Sequence, residues 1–116
     1  MARVSQTTQV ATYPGLLPNH TAPTVDGDIV DVDSKTFLSV INGGGAPINV
    51  TVVTPEVVDG DLAIADRVVA VPVGTTPKLI PLSSNHYKQQ SGADAGRAYV
   101  DYSAIASVTR AVVRLP

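Results

Sequence analysis

The sequence predicts an all-β domain, an antiparallel β-sandwich or a β-barrel of the tulip type, with an extended N-terminal arm. Valine dominates the apolar stretches, and its branched Cβ atom fits a pleated strand better than a helix. Nine prolines and nine glycines divide the 116 residues into short segments. Turn signals recur at short intervals along the chain, as they do in sandwiches and barrels.

The chain is predicted to consist of an N-terminal arm, residues 1–24, and a β domain, residues 25–116. Three prolines interrupt the segment YPGLLPNHTAPT at 13–24, which shows no apolar periodicity. Its isolated apolar side chains are predicted to dock on a partner when the arm becomes ordered: Tyr13, Leu16 and Leu17. The arm would then serve assembly rather than the stability of the β domain. The alternative is that this segment packs on its own domain.

Alternating apolar residues place the strands of the domain. Leu38 and Val40 precede a turn, Ile48, Val50 and Val52 follow it, and these five side chains are predicted to form the core. The polar, glycine-containing segment 83–97 is predicted to be a long surface loop. The two C-terminal strands are expected to pair with each other. Strands are predicted inside 4–12, near 28–33, on both sides of the glycine turn at 43–45, and at 67–73, 77–82, 98–103 and 107–115.

Three consecutive glycines in INGGGAPI, residues 41–48, raise the question of a phosphate-binding loop. Such a loop needs backbone N–H groups in front of a helix N-terminus, and the P-loop adds a lysine. Here Pro47 and a strand follow the glycines, and the segment has no lysine. Asn42 and Gly43 are instead a strong signal for a hairpin turn, because both residues tolerate positive φ. The segment is predicted to be a hairpin turn.

Charge and composition exclude several classes of function. The formal net charge is −2, and no basic run offers a face for nucleic acid. No apolar run is long enough to span a bilayer. We therefore expect neither nucleic acid nor a membrane among the partners. Arginines near the C-terminus alternate with apolar residues and are predicted to face solvent: Arg97, Arg110 and Arg114.

The aspartates form two groups whose spacing resembles a Ca²⁺ loop only in part. An EF-hand also needs a glycine at the sixth position and a glutamate at the twelfth, and both are missing here. The aspartates are interpreted as solvated turns and strand edges. His20 and His86, the only histidines, are predicted to be surface residues. No catalytic set, metal site or cofactor is expected. The two groups are Asp26, Asp28, Asp31 and Asp33, and Asp59, Asp61 and Asp66.

Three segments resemble small structural proteins of tailed-bacteriophage virions: FLSVINGGGAPINVTVVTP, VDGDLAIADRVVAVPVGTTPKLIPL and AYVDYSAIASVTRAVVRLP. In that group an F-L-x-V-x-N-G strand and a glycine turn precede a strand of alternating apolar and threonine residues. An Asp-Arg strand, a V-P-x-G-x-T turn and a final pair of strands follow. The resemblance covers residues 36–116.

The resemblance implies a capsid decoration (cement) protein, made in the host cytoplasm and located on the outside of the head. Such a protein stabilises the shell by clustering at capsomer junctions, with the major capsid protein and further copies of itself, most often as a trimer, as partners. The family offers no catalytic residues. The alternatives are a head–tail connector or tail protein of a phage and a carbohydrate-binding module on a tail fibre. The last would need more exposed aromatic residues than Tyr87, Tyr99 and Tyr102 supply.

Overall fold

The computed structural model of the chain describes residues 3–83 and 85–116. In this part the chain forms eleven strands and one 3₁₀ turn, and it contains no α-helix. Ser84, within the predicted surface loop, lies outside the described residues. The strands are β1 (Val4–Ser5), β2 (Gln9–Val10), β3 (Asp28–Asp31), β4 (Thr36–Asn42), β5 (Ile48–Val52), β6 (Val57–Val58), β7 (Leu62–Ala63), β8 (Arg67–Val71), β9 (Lys78–Pro81), β10 (Arg97–Tyr102) and β11 (Val108–Arg114), with the 3₁₀ turn at Asn85–Tyr87.

Two mixed sheets pack face to face as a sandwich. Sheet A has the strand order β1-β3-β10-β5-β8, and sheet B has the order β2-β11-β4-β9, while β6 and β7 form a separate hairpin. The prediction of an all-β sandwich is therefore confirmed. The sheets are not purely antiparallel, because β1 pairs in parallel with β3 and β2 pairs in parallel with β11.

The core lies between the sheets and contains all five residues that alternation predicted. Leu38 and Val40 of sheet B face Ile48, Val50 and Val52 of sheet A, and each is buried. Burying such a side chain stabilises the fold by about 1.5–3 kcal/mol. The remaining members of the core cluster are also aliphatic: Val30, Val71, Ile80, Leu82, Ala98, Val100, Val108 and Val112.

The turns between strands mostly carry the chain from one sheet to the other. The glycine turn joins β4 of sheet B to β5 of sheet A, so it is not the hairpin that the sequence predicts. For the same reason β10 and β11 do not pair with each other, and that prediction is wrong. Alternation is identical for a strand that pairs with its sequence neighbour and for one that faces it across a core. The pattern therefore cannot distinguish the two arrangements.

Asn42 stabilises the turn by which the chain crosses from β4 in sheet B to β5 in sheet A. Its side-chain amide donates to the carbonyls of Ala46, at 2.8 Å, and Val71, at 3.2 Å. Its side-chain oxygen accepts from the Gly44 N–H at 3.0 Å, and its carbonyl accepts from Gly74 at 2.9 Å. Since the Asn42 side chain is buried, these bonds satisfy polar groups that water does not reach.

The N-terminal segment runs along the edges of both sheets. We call residues 3–24 the strap. It contributes β1 to sheet A and β2 to sheet B, and Thr21 then forms an antiparallel bridge with Arg110. The extended arm predicted for 1–24 is therefore not confirmed, and the described part of it packs on its own domain. No described strap side chain belongs to the core cluster, so apolar periodicity could not reveal this packing.

Candidate interaction surface

The outer face of sheet A carries paired charges over β3 and β10, and the exposed Val68 lies on its edge strand β8. Strand alternation places Asp31, Arg97 and Asp101 on this face. Arg97 Nε lies 3.0 Å from Asp31 Oδ1. Arg3 of the strap donates two hydrogen bonds to Asp101, at 2.5 and 3.1 Å, and its guanidinium lies 4.5 Å from the centre of the Tyr99 ring. These partly exposed ion pairs keep their hydration, as is typical of a surface in contact with solvent.

The outer face of sheet B is different, because none of its positions in the described strands is charged. The register places Phe37 between Val113 and Pro81. It likewise places Ser39 between Ala111 and Leu79. The members of this face are Gln9, Phe37, Ser39, Ile41, Leu79, Pro81, Thr109, Ala111 and Val113. We call this set the sheet B face.

The strap covers half of the sheet B face, at Ser39 on β4 and at Ala111 and Val113 on β11. His20 Nε2 lies 2.9 Å from Ser39 Oγ, and the Gln9 side-chain amide makes two hydrogen bonds to the backbone of Asn19, at 2.8 and 2.9 Å. Ala111 and Val113, on the same half, are each only 3% exposed. His20 is therefore a partly buried residue of this surface rather than a fully exposed one.

The other half of the sheet B face, which includes Thr109 of β11, remains accessible. Leu79 is 58% exposed and Pro81 is exposed, while Phe37 and Ile41 are partly buried. Phe37 is the only phenylalanine of the chain. A sheet surface that is apolar and open to solvent is typical of a contact with another macromolecule.

A loop at residues 12–18 lies beside this face, at the β2 edge of sheet B. It begins with a turn in which the Gly15 N–H donates to the Thr12 carbonyl at 2.8 Å. Tyr13 is 96% exposed and Leu17 is 94% exposed, whereas Leu16 is partly buried. The loop thus places all three predicted contact residues together and presents two of them to solvent. Their role in contacting a partner stays a prediction.

Asp28 and Arg110 form an ion pair inside the sandwich. Arg110 Nε lies 2.6 Å from Asp28 Oδ2, and its Nη2 donates to Oδ1 at 3.2 Å. The two side chains are 3% and 0% exposed. The predictions that Arg110 faces solvent and that Asp28 lies in a solvated turn are therefore wrong. Arg110 alternates with the core residues Val108 and Val112, and this spacing was the signal for an inward position.

Residues of the strap and of the core donate further hydrogen bonds to the Asp28 carboxylate. Its oxygens accept from the Tyr102 hydroxyl at 2.7 Å, the Thr24 hydroxyl at 2.9 Å and the Gln6 amide at 3.2 Å. Burial, together with the Asp28 charge, raises the pKa of Tyr102, so the phenol stays neutral. Burial alone would lower the pKa of Arg110, but its hydrogen bonds to Asp28 and the Asp28 charge outweigh this, and the pKa is raised. A carboxylate so fully bonded has no lone pair free for catalysis, and the cluster is structural.

The other titratable residues are spread over separate contacts. His86 Nδ1 contacts Glu56 Oε2 on the exposed surface, Asp66 accepts from the Thr54 N–H, and the Lys35 N–H donates to Asp33 and is the main cause of its lowered pKa. Within residues 3–83 and 85–116, no three His, Asp or Glu side chains are grouped as metal ligands. The absence of a bound metal or cofactor in the protein itself stays a prediction.

No protein-family model matches the chain, and it matches no curated protein and no solved structure. Among the described residues, no helix has the length and apolar character needed to cross a membrane.

Proposed function

We propose that this chain is a non-enzymatic structural protein of a tailed-bacteriophage virion. In this proposal it decorates the outside of the capsid, binds the major capsid protein and stabilises the shell by clustering with further copies at capsomer junctions. The observation that best supports this role is the contrast between the uncharged, partly open sheet B face and the charged outer face of sheet A. The resemblance of residues 36–116 to virion structural proteins supports the same conclusion.

The contrast between the faces also suggests an orientation on the shell. Burying the accessible half of the sheet B face removes apolar surface from water and leaves no charge unpaired. Burying the outer face of sheet A would instead remove water from the ion pairs of Arg97 and Arg3. The Coulomb attraction within such pairs often does not compensate for the lost hydration. The sheet B face therefore lies against the capsid protein, and the sheet A face is exposed to solvent.

The tyrosines give little support to a carbohydrate-binding module. Tyr99 donates to Asp94 at 2.7 Å, and Tyr102 donates to Asp28 inside the sandwich. Tyr87 packs against the core. Of the four tyrosines, Tyr13 is the one whose ring is almost fully exposed, at 96%. A single ring on a loop does not form the flat aromatic platform on which sugar rings stack.

Co-sedimentation with undecorated phage heads tests this function. The full-length protein should sediment with the heads in a saturable manner. Thr109→Lys places a charge on the sheet B face and should weaken head binding by about tenfold or more, because the ammonium would lose its hydration in the contact. Thr51→Lys is the matched control, since Thr51 is also partly buried but lies on the outer face of sheet A beside Asp101.

The outcomes separate the alternatives. Failure of the unaltered protein to bind heads at any concentration would contradict the decoration function. Sedimentation with isolated tails instead of heads would support the tail or connector alternative. Equal head binding by the Thr109→Lys and Thr51→Lys variants would contradict the assignment of the sheet B face as the contact.

A further inference from the structure

A second apolar feature lies at the edge of the sandwich formed by β8 and β9. These are the outermost strands of sheets A and B, and an open groove of about 350 Å³ separates them. Ile80 of β9 is buried at the inner side of the groove. Val69 of β8 packs against the core on the opposite side. The groove is lined by Arg67, Val69, Leu79, Ile80, Pro81 and Tyr87.

The two strands at the groove are protected against pairing with another strand. Lys78 Nζ donates to the carbonyl of Ala70 at 2.8 Å, so this backbone acceptor of β8 is already satisfied. Pro81 ends β9, and Pro72 follows β8 directly. Proline offers no N–H, and a lysine at an edge disfavours strand addition. The groove is therefore suited to receive inserted side chains rather than an added strand.

We infer that the groove receives the 12–18 loop of a second copy of this chain, with Tyr13 and Leu17 inserted between β8 and β9. This inference rests on the proposed function and names the contact by which copies cluster. The loop follows β2 and the groove borders β9, and these strands are the opposite edges of sheet B. Three strand spacings, about 14 Å, separate the edges. The contact thus joins the loop edge of one copy to the groove edge of the next copy. Such a contact between two different surfaces is called head-to-tail.

A head-to-tail contact between opposite edges determines how copies assemble. Each copy presents one loop and one groove, so copies join in a row that closes into a ring when the rotation per copy permits. Both edges lie at the sides of the sandwich. Leu79 and Pro81 line the groove as well as the sheet B face, and the contact between copies leaves Phe37, Ile41 and Thr109 free to contact the shell. Copies lying side by side on the capsid therefore bring each loop next to a neighbouring groove.

The chemistry of loop and groove is complementary. The phenol ring of Tyr13 can stack on the Arg67 guanidinium, while Val69 and Leu79 provide apolar walls for Leu17. The 12–18 loop carries no charged residue that would be buried unpaired. Its two exposed side chains, at 96% and 94%, are the most exposed large apolar groups among the described residues.

The size of the contact predicts a weak interaction in solution. A tyrosine buries about 150–250 Å², whereas a stable pair of proteins buries roughly 800 Å² on each partner. The loop alone therefore supports association only at high protein concentration. On the capsid, attachment of each copy to the shell raises the effective concentration of its neighbours and strengthens the contact.

Sedimentation velocity of the full-length protein at increasing concentration, up to the millimolar range, tests the inference. The unaltered protein should self-associate, and Leu17→Asp or Leu79→Asp should each raise the dissociation constant about tenfold or more, because each buries a carboxylate in an apolar contact. Leu62→Asp is the matched control, because Leu62 and Leu79 are both 58% exposed and Leu62 lies in the β6–β7 hairpin. It should leave association unchanged.

Mixing the two variants distinguishes head-to-tail contact from other modes. Leu17→Asp retains an intact groove and Leu79→Asp retains an intact loop, so the mixture should form a one-to-one dimer that neither variant forms alone and that does not grow further. Absence of this dimer would overturn the inference, as would a monomeric unaltered protein at every concentration. Either result leaves head binding by the unaltered protein as a separate measurement, so failure of the contact and failure of the decoration function are distinguishable.

Discussion

Arg110 and Asp28 bring the strap and both sheets together at one buried point. Asp28 lies on β3 of sheet A, Arg110 lies on β11 of sheet B, and Thr24 of the strap donates to the same carboxylate. Arg110 also donates to the carbonyl of Thr21 at 3.2 Å. The two hydrogen bonds from Arg110 to Asp28 fix the two sheets relative to each other, and Arg110 also holds the strap.

Removing one member of this buried pair should be strongly destabilising. Arg110→Leu leaves Asp28 as an unpaired charge in the core, and we expect the free energy of unfolding to fall by about 3–5 kcal/mol. Urea denaturation measures this change. The matched control is Arg114→Leu, whose ion pair with Asp33 is partly exposed, and it should lower the free energy of unfolding by no more than about 1 kcal/mol. Equal losses in the two variants would contradict the structural role of the buried pair.

Gly27 shows how a single turn residue permits the approach of the strap. Its φ is +95°, a left-handed conformation that suits glycine. A Cβ atom at this position would lie 2.8 Å from the Val100 carbonyl oxygen and would also clash with the side chains of Arg3 and Asp101. The Asp-Gly sequence predicts the turn, but only the folded chain shows that the ion pair of Arg3 occupies the space where a side chain would be.

At the scale of elements, the strap is held by backbone pairing and polar side chains rather than by the core. It covers Ala111 and Val113 and supplies Gln6, Thr21 and Thr24 to the buried cluster. The expectation that it serves assembly rather than stability therefore does not fit these contacts. The outermost part of the strap is the 12–18 loop, whose side chains Tyr13 and Leu17 are almost fully exposed.

Deleting residues 1–24 should lower the thermal stability of the domain. The deletion exposes the covered half of the sheet B face and removes partners from a buried ion pair, a loss of at least about 2 kcal/mol or roughly 10 °C in Tm. Differential scanning calorimetry measures the change. The double substitution of Tyr13→Ser and Leu17→Ser is the control and should leave Tm within about 1–2 °C, because both side chains are exposed. An unchanged Tm after deletion would contradict the packing of the strap.

The sequence allows the strands and the core to be predicted, but not the assignment of strands to sheets. Alternation identifies Leu38, Val40 and Val50 as inward residues because one face of each strand must be dry. The same pattern does not say whether β10 and β11 pair or face each other. The strands β1 and β2 have two residues each, too few for any periodicity.

The candidate surface is predictable only in its loop. Proline content and isolated apolar residues indicate that Tyr13 and Leu17 are available to a partner. The sheet B face depends on register, because Phe37, Leu79 and Val113 are far apart in the sequence and become neighbours only when β4, β9 and β11 pair. A single sequence contains no information about that register until the sheet assignment is known.

The whole sandwich has four chemically different sides. One sheet presents charges to solvent, the other presents an apolar surface, one edge carries the exposed loop and the opposite edge carries the groove. This arrangement suits a protein that forms a single layer on a surface, with one face bound, one face free and both edges in contact with neighbours. We propose that the protein forms such a layer on the capsid.

Hydroxyl-radical footprinting of the protein, free and bound to undecorated phage heads, tests this claim most directly. Mass spectrometry reports the reactivity of each side chain. We predict that Phe37 and Ile41 of the sheet B face lose reactivity several-fold on the heads, while Tyr99 on the outer face of sheet A keeps its reactivity. Protection of Tyr99 with unchanged Phe37 and Ile41 would rule out the sheet B face as the contact with the shell, and so would bound protein in which no side chain is protected.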